Sequence, residues 1–437
     1  MIYFLFAMLA CMAVFFYFLA DEDLVAPCVV VPAAFTFCTG LAAIYTVEWS
    51  LTMHWDSCLI IVAMVACFEV GALLSIRSFY GRSLPKLNEE DSGFVLPWCL
   101  LLPLLLLTGI MAYWNYQELW QISRQFTNSN ELGEMIHSTV HNLQMGTSSR
   151  KFSRWYNYRL IFAQGVAYVC WFAMLCNMFG HCKSFLYNLR FSLPMCLYIG
   201  FIILTSGRQQ IVYVAIFTMV VGSVLYVRNH GFAKGAYRRI ILLVLGSFVG
   251  FVALFYGMGM LSGKIDESKT VLRVLAHYAG TNITAFDYFL YHLPIPESEY
   301  IGTMTLIDIY AKLNKYLPGL PATQGYIKEF VEYDLISTNT YTALRRYIQD
   351  YGFVGCGLIM FLMGTLYQTI HNLIKYSRER SFLLLAYGLI CYPFFLLCRE
   401  ERFLTSVIST NSIYLLLAAY IFYRGLLYLK GKEVING

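Results

Sequence analysis

The chain has 437 residues, 59% of them hydrophobic and only 13% charged, with a formal net charge of +5. Soluble domains carry about 25% charged and about 45–50% apolar residues, so a soluble globular enzyme, a disordered chain and a nucleic-acid-binding protein are all excluded. So much apolar surface needs a bilayer to solvate it, and a modest positive charge suits a membrane protein with a basic cytoplasmic side.

Apolar runs of about 17–25 residues mark membrane spans. Eleven occur, at 2–20, 24–47, 58–74, 94–114, 160–178, 191–205, 209–227, 240–260, 351–370, 381–397 and 405–427. No basic stretch precedes the first run, so it reads as a retained helix, not a cleaved signal. Asp21-Glu22-Asp23 falls in the short turn after it and reads as a helix boundary. The second run contains Pro27 and Pro32 and is expected to kink or to start late. Glu48, His54 and Asp56 follow it and offer a metal set or a base, but their spacing fits no tight metal motif. The 13 cysteines form no CxxC pair and read as small buried hydrophobes.

A polar segment spans 115–159. Further on, only Ser206-Gly207-Arg208 separates the runs at 191–205 and 209–227. One of these two is therefore expected to be broken or re-entrant, which brackets the count at about 10–12 helices. A guanidinium at the depth of Arg208 is costly and marks a functional site by default. Its planar fork suits a phosphate or diphosphate. The alternative is a boundary arginine that snorkels to the interface.

The longest polar connector, 261–350, holds eight Lys/Arg and ten Asp/Glu. Connectors of this length in compact proteins are usually functional. Two stretches in it are amphipathic, 271–291 and 304–317. The second places Leu306, Ile309, Tyr310, Leu313 and Leu317 on one helical stripe, as an interfacial helix does. Pro294, Pro296, Pro318 and Pro321 punctuate the loop.

Three polar clusters lie in or beside this connector. AHYAGTNITAFDYFLYH (276–292) gathers Tyr278, Asn282, Thr284, Asp287 and Tyr288 in a turn followed by a helix. It can present backbone N–H groups to an anion, or it is an ordinary capped interfacial helix. STNTYTALRRYIQDYGFVG (337–355) runs straight into a span. Arg345 and Arg346 can flank a phosphate there. Asn339, Thr340 and Thr342 can bind sugar hydroxyls, and Asp350 stands at the membrane entrance. The alternative for Arg346 and Asp350 is a plain i,i+4 ion pair. The third cluster, Arg399-Glu400-Glu401-Arg402, sits between two spans and holds either a general base or a solvated loop.

Basic residues set the orientation. Segments 75–93, 179–190, 228–239, 371–380 and the C-terminal region from Arg424 alternate correctly to be cytoplasmic, and they carry 15 Lys/Arg against 3 in loops 48–57, 206–208 and 398–404, a contrast that five more in the external segment 115–159 weaken. The C-terminus is therefore placed inside. With eleven spans the N-terminus is outside, together with 115–159 and 261–350. The expected fold is an all-α polytopic integral membrane protein. It has an N-terminal bundle (1–260), an external loop with interfacial helices (261–350) and C-terminal helices (351–437).

Arginines suit a diphosphate, aromatic and hydroxyl side chains suit sugars, and lipid access suits a polyprenyl tail. The chemistry so implied uses a lipid-linked sugar donor. Displacement at an anomeric carbon needs a base and a means of steadying the leaving diphosphate. Asp287, Asp350 and Glu400 are the candidate bases. Arg208, Arg345, Arg346 and Arg399 are the candidate diphosphate ligands, with no metal or other cofactor. Tyr278, Asn282, Thr284, Asn339 and Tyr341 are the candidate substrate contacts.

LTSGRQQIV (204–212), YAGTNITAFDYFL (278–290) and NTYTALRRYIQDYGFVG (339–355), together with DEDLVAP and EWSLTMHW earlier, resemble the signature stretches of the Wzy-type O-antigen polymerases. The resemblance spans most of the chain in order. It implies a GT-C-like membrane glycosyltransferase in the bacterial inner membrane with its active site facing the periplasm. Such an enzyme moves a growing glycan from undecaprenyl diphosphate to the non-reducing end of a new lipid-linked repeat unit. The family's external arginines would fall on Arg208 and Arg345. Where that family has Arg-Pro, this chain has Arg345-Arg346, so both are carried as candidates. The partners implied are the undecaprenyl-diphosphate-linked oligosaccharide, membrane lipids and, as a candidate, a polysaccharide chain-length regulator, with no nucleic acid. The competing readings are an O-antigen ligase acting on lipid A core and a flippase for the lipid-linked unit. A flippase is expected to show paired halves, and no internal repeat occurs.

Overall fold

The computed structural model describes all residues except 83–92, 145–150, 180–184, 206, 231–233, 262–269, 294–299, 318, 321–328, 377–381 and 437. Ser206 and the four prolines of the long connector thus lie outside the described residues. Among those described, ten helices are long and apolar enough to cross a membrane. They are Ile2–Leu19, Pro27–Ile44, Trp55–Phe79, Trp98–Ser123, Arg154–Phe179, Leu186–Leu204, Arg208–Asn229, Arg238–Met260, Ala343–Lys375 and Thr410–Leu429. The protein is an all-α polytopic membrane protein.

The expected eleventh span, 381–397, is broken. It consists of Phe382–Ile390 and Tyr392–Leu396, with Pro393 near the start of the second piece. Proline lacks an N–H and cannot continue the ladder of the first piece. The Leu186–Leu204 span is also interrupted, by a 3₁₀ turn at Arg190–Ser192. Pro27 opens its helix, where its missing N–H costs nothing. The 304–317 stripe yields only the short helix Ile307–Leu313. The 271–291 stretch is helical throughout, but a π-helical turn, Ala276–Gly280, joins Val271–Leu275 to Thr281–His292. Residues Thr281 to Asp287 are buried without a break, so this is an enclosed helix, not an interfacial one.

Two compact units are interleaved along the chain. The first comprises Met1–Ser83, Lys269–Ile374 and Ile390–Thr410. Its tightest crossing joins Trp55–Phe79 to Ala343–Lys375. A Cβ on Gly71 would stand 2.1 Å from the Phe361 carbonyl oxygen, and one on Gly364 2.0 Å from that of Phe68. Only glycine permits so close an approach, the usual device of helices that lack a hydrophobic drive to associate in lipid. The long Ala343–Lys375 helix is interrupted at Gly352, whose φ of 66° and ψ of −176° are open only to glycine.

The Asp21-Glu22-Asp23 triplet is a tight turn between the first two spans, with Asp21 and Glu22 at positive φ. Asp23 is buried and faces inward. Its carboxylate accepts from the Val25 N–H at 3.2 Å and lies 3.0 Å from His371 Nε2. Gln368 Oε1 accepts the N–H of Cys28 at 3.2 Å, and Asn372 donates to Ser75 Oγ at 3.2 Å.

The second unit comprises Leu84–Ser268, Lys375–Leu389 and Asn411–Gly437. There the Asn177 amide clamps the backbone of Phe94 in both directions, accepting its N–H at 2.6 Å and donating to its carbonyl at 3.0 Å. Trp171 donates to Thr218 at 2.8 Å across two of the unit's helices.

Candidate functional site

The helix Thr281–His292 organises the polar chemistry of the first unit. Asp287 on it is nearly fully buried and accepts three donors from the start of Trp55–Phe79. These are the His54 N–H at 2.8 Å, Ser57 Oγ at 2.5 Å and His54 Nδ1 at 3.0 Å. A carboxylate at a helix N-terminus meets both its unpaired N–H groups and the positive end of its dipole. His54 lies over Tyr291 with ring centroids 4.0 Å apart, and the Tyr291 hydroxyl donates to Asp56 at 2.8 Å. That hydrogen bond to Asp56 raises the Tyr291 phenol above its ordinary pKa.

Farther back on the same helix, Thr284 Oγ1 accepts from the Tyr333 hydroxyl at 2.9 Å. Asn282 Oδ1 accepts from Thr340 Oγ1 at 2.5 Å. Tyr333 follows Val331–Glu332, which pairs antiparallel with Ser337–Thr338. His277 Nε2 lies 2.9 Å from the Ser337 carbonyl, so the small hairpin is fastened to the π-helical turn as well. Burial raises the Tyr333 phenol.

Arg345 stands in the first turn of Ala343–Lys375, only 1% exposed. Its guanidinium lies over the Tyr341 ring at 4.0 Å and over Phe289 at 5.1 Å. Nη2 pairs with Glu329, while Nε and Nη1 are buried with no hydrogen-bond partner among the described residues. Tyr341 donates to the Glu329 carbonyl at 2.9 Å. Burial pushes its phenol up to about 12 against the opposing effect of the Arg345 charge.

Arg346 and Asp350 do not form the ion pair that their spacing allows. They grip Met304 from two directions instead. Arg346 donates to its carbonyl at 3.2 Å, and Asp350 accepts its N–H at 3.0 Å. Thr305 adds a hydroxyl to Asp350 at 2.7 Å. Asp350 is therefore occupied in holding the 303–305 turn.

In the Arg399–Arg402 knot the two carboxylates differ. Glu400 pairs with Arg402 at 2.7 Å. Glu401, the neighbour, is the buried one. It accepts the N–H groups of Leu404 at 2.6 Å and Thr405 at 3.0 Å, and the Tyr347 hydroxyl at 3.1 Å. Burial raises its carboxyl, although these donors and the Arg346 charge oppose the rise. Arg399 is half-buried beside it, and Asn339 and Tyr278 are half-buried on their segments.

Arg208 belongs to the second unit, as the first residue of its helix. It is 9% exposed, with its guanidinium 5.0 Å from the Phe255 ring centroid. Tyr198 donates at 3.3 Å to Gln210, two residues further along the helix. Of the other sequence candidates, Asp287, Arg345, Asn282, Thr284 and Tyr341 gather around Thr281–His292 and the hairpin.

Glu48, His54 and Asp56 each turn to a different partner: Arg273, Asp287 and Tyr291. Sequence reasoning ranked His54 low, passed over Ser57 and Tyr291, and within the 399–402 cluster chose Glu400 over Glu401. The one available signal was His54-x-Asp56-Ser57 at a helix start, since the Asp287 partner lies 233 residues away.

No protein-family model, curated protein or solved structure matches the chain.

Proposed function

We propose that the protein is a membrane glycosyltransferase that polymerises lipid-linked oligosaccharide repeat units at the outer face of a bacterial inner membrane. The growing glycan would leave undecaprenyl diphosphate and join the non-reducing end of a new unit. The observation that carries this reading is Arg345. It is a buried guanidinium, two of whose nitrogens have no hydrogen-bond partner among the described residues, lying over two aromatic rings at the head of a helix long and apolar enough to cross a membrane. Leaving buried donors unmade costs about 1–3 kcal/mol, and charged groups cost more, so such a residue suits an anionic ligand. Guanidinium and diphosphate match in geometry and charge. Asn339 and Thr340, half-buried just after the hairpin, offer the amide and hydroxyl groups that suit a sugar. Arg399, in the same unit, remains a candidate for this anion by residue type, and Arg208, in the second unit, remains a candidate anion ligand in its own right.

One observation favours the flippase reading for the same lipid-linked unit. Glu69, in the middle of the span Trp55–Phe79, is 1% exposed, and neither carboxylate oxygen has a partner among the described residues. Intramembrane carboxylates of this kind mark ion or proton paths in transporters.

A cell-based assay separates the two. Arg345→Ala at normal protein level is expected to replace the polysaccharide ladder with single-repeat glycolipid. A normal ladder in Arg345→Ala would overturn the assignment. Loss of the single-repeat product from the surface would instead favour the flippase.

A further inference from the structure

We propose that His54 is the general base for the acceptor hydroxyl and that Asp287 is its positioning residue. The proposal rests on the glycan-transfer reading. It moves the base away from Asp287, one of the three carboxylates that the sequence suggested, for a geometric reason. Asp287 is 4% exposed at its side chain, and three donors already occupy it. It has no free face for a sugar. The His54 side chain is 50% exposed. A carboxylate only accepts, so Nδ1 carries the hydrogen toward Asp287 and Nε2 keeps its lone pair. Tyr291 supports one ring face, and Asp56 anchors Tyr291 in turn. The imidazole is therefore held in tautomer and in plane, while half of the side chain stays exposed. A buried carboxylate, an oriented imidazole and an accessible nitrogen are the parts of a general-base dyad.

The step balances without a co-reactant. Nε2 takes the proton of the acceptor hydroxyl as that oxygen bonds to the anomeric carbon. The bond from that carbon to the diphosphate oxygen breaks, and undecaprenyl diphosphate leaves with the electron pair. The imidazolium then returns the proton to water. Phe289, two residues from Asp287 on the same helix, carries the ring that Arg345 covers. The residues that support the base and the candidate anion site, Asp287 and Phe289, thus lie on one helix, although His54 and Arg345 themselves stand on two others.

The test uses the purified full-length protein in proteoliposomes with a lipid-linked repeat unit, following chain elongation. His54→Gln is expected to lower kcat by roughly 10²–10⁴-fold with little change in KM. His54→Ala is expected to regain part of its rate with added imidazole, which a purely structural histidine would not do. Asp287→Asn favours the wrong tautomer and is expected to lower kcat by a similar factor. An active wild type with His54→Gln at the same rate would sink the dyad alone. Folded but inactive His54→Ala that gains nothing from imidazole would do so as well. A wild type that elongates nothing under these conditions would remove the polymerase reading itself, and the dyad with it.

Discussion

Asp308 shows how single side chains hold the polar connector in place. Its carboxylate accepts the Thr410 N–H at 3.0 Å and the Thr410 hydroxyl at 3.3 Å, and it pairs with Lys312. Burial alone would raise this carboxyl, but Lys312 and Thr410 outweigh it and hold it below the ordinary value. A depressed acid contributes stability above its unfolded pKa and loses it as pH falls through the folded one. Asp308→Asn is thus expected to be less stable than wild type at neutral pH, with the gap closing below the usual carboxylate pKa of about 4. Thermal unfolding in detergent across that range checks this, and a pH-independent gap would contradict it. At this scale the sequence was informative where chemistry is local. Arg345 and Asp287 stood out because charge in a largely apolar chain is conspicuous. The choice between Glu400 and Glu401 was not legible, because it depends on which of two adjacent side chains turns inward. Nor was the role of Asp350, whose partners Met304 and Thr305 are 45 or more residues away.

At the scale of elements, the helix starts follow a common rule. Gln368 receives the N–H of Cys28, Asp287 that of His54 and Asp308 that of Thr410, each at the beginning of a span. The first N–H groups of any helix lack intrahelical partners, and an unmet donor is expensive where water is scarce. Here distant side chains supply acceptors that local capping residues do not. Hydropathy located the spans well, since a run of apolar residues is a local property. It did not show that 381–397 breaks at Pro393, nor that the helix containing 351–370 begins at Ala343. Those limits depend on proline geometry and on backbone contacts such as Ala343 N–H to the Leu397 carbonyl, 2.8 Å. The crossing at Gly71 and Gly364 was also invisible, because nothing local distinguishes a packing glycine from a spacer. Gly71→Leu is expected to destabilise by about 1–3 kcal/mol or more, because the new atoms meet backbone that cannot yield. A lower unfolding temperature in detergent would show it, and an unchanged one would mean that the helices separate at this point without cost.

For the whole molecule, the sequence established an all-α membrane protein from its apolar composition together with runs of about 17–25 apolar residues, the length of a membrane helix and not of a barrel strand. The division into two interleaved units was not legible, since each unit draws on segments more than a hundred residues apart. Orientation rests on the bias of basic residues, and it predicts a cytoplasmic C-terminus. A fluorescent protein fused after the last residue, of a kind that matures only in the cytoplasm, is expected to glow. A dark but expressed fusion would reverse the orientation read from the basic residues. Gly352 carries a final consequence. The turn bearing Arg345, Arg346 and Asp350 is joined to the long apolar part of its helix through a residue of non-helical geometry. A span answers a thicker or thinner bilayer mainly by changing its tilt. The break at Gly352 leaves the apolar part free to change tilt without carrying the arginine-bearing turn with it as one straight rod.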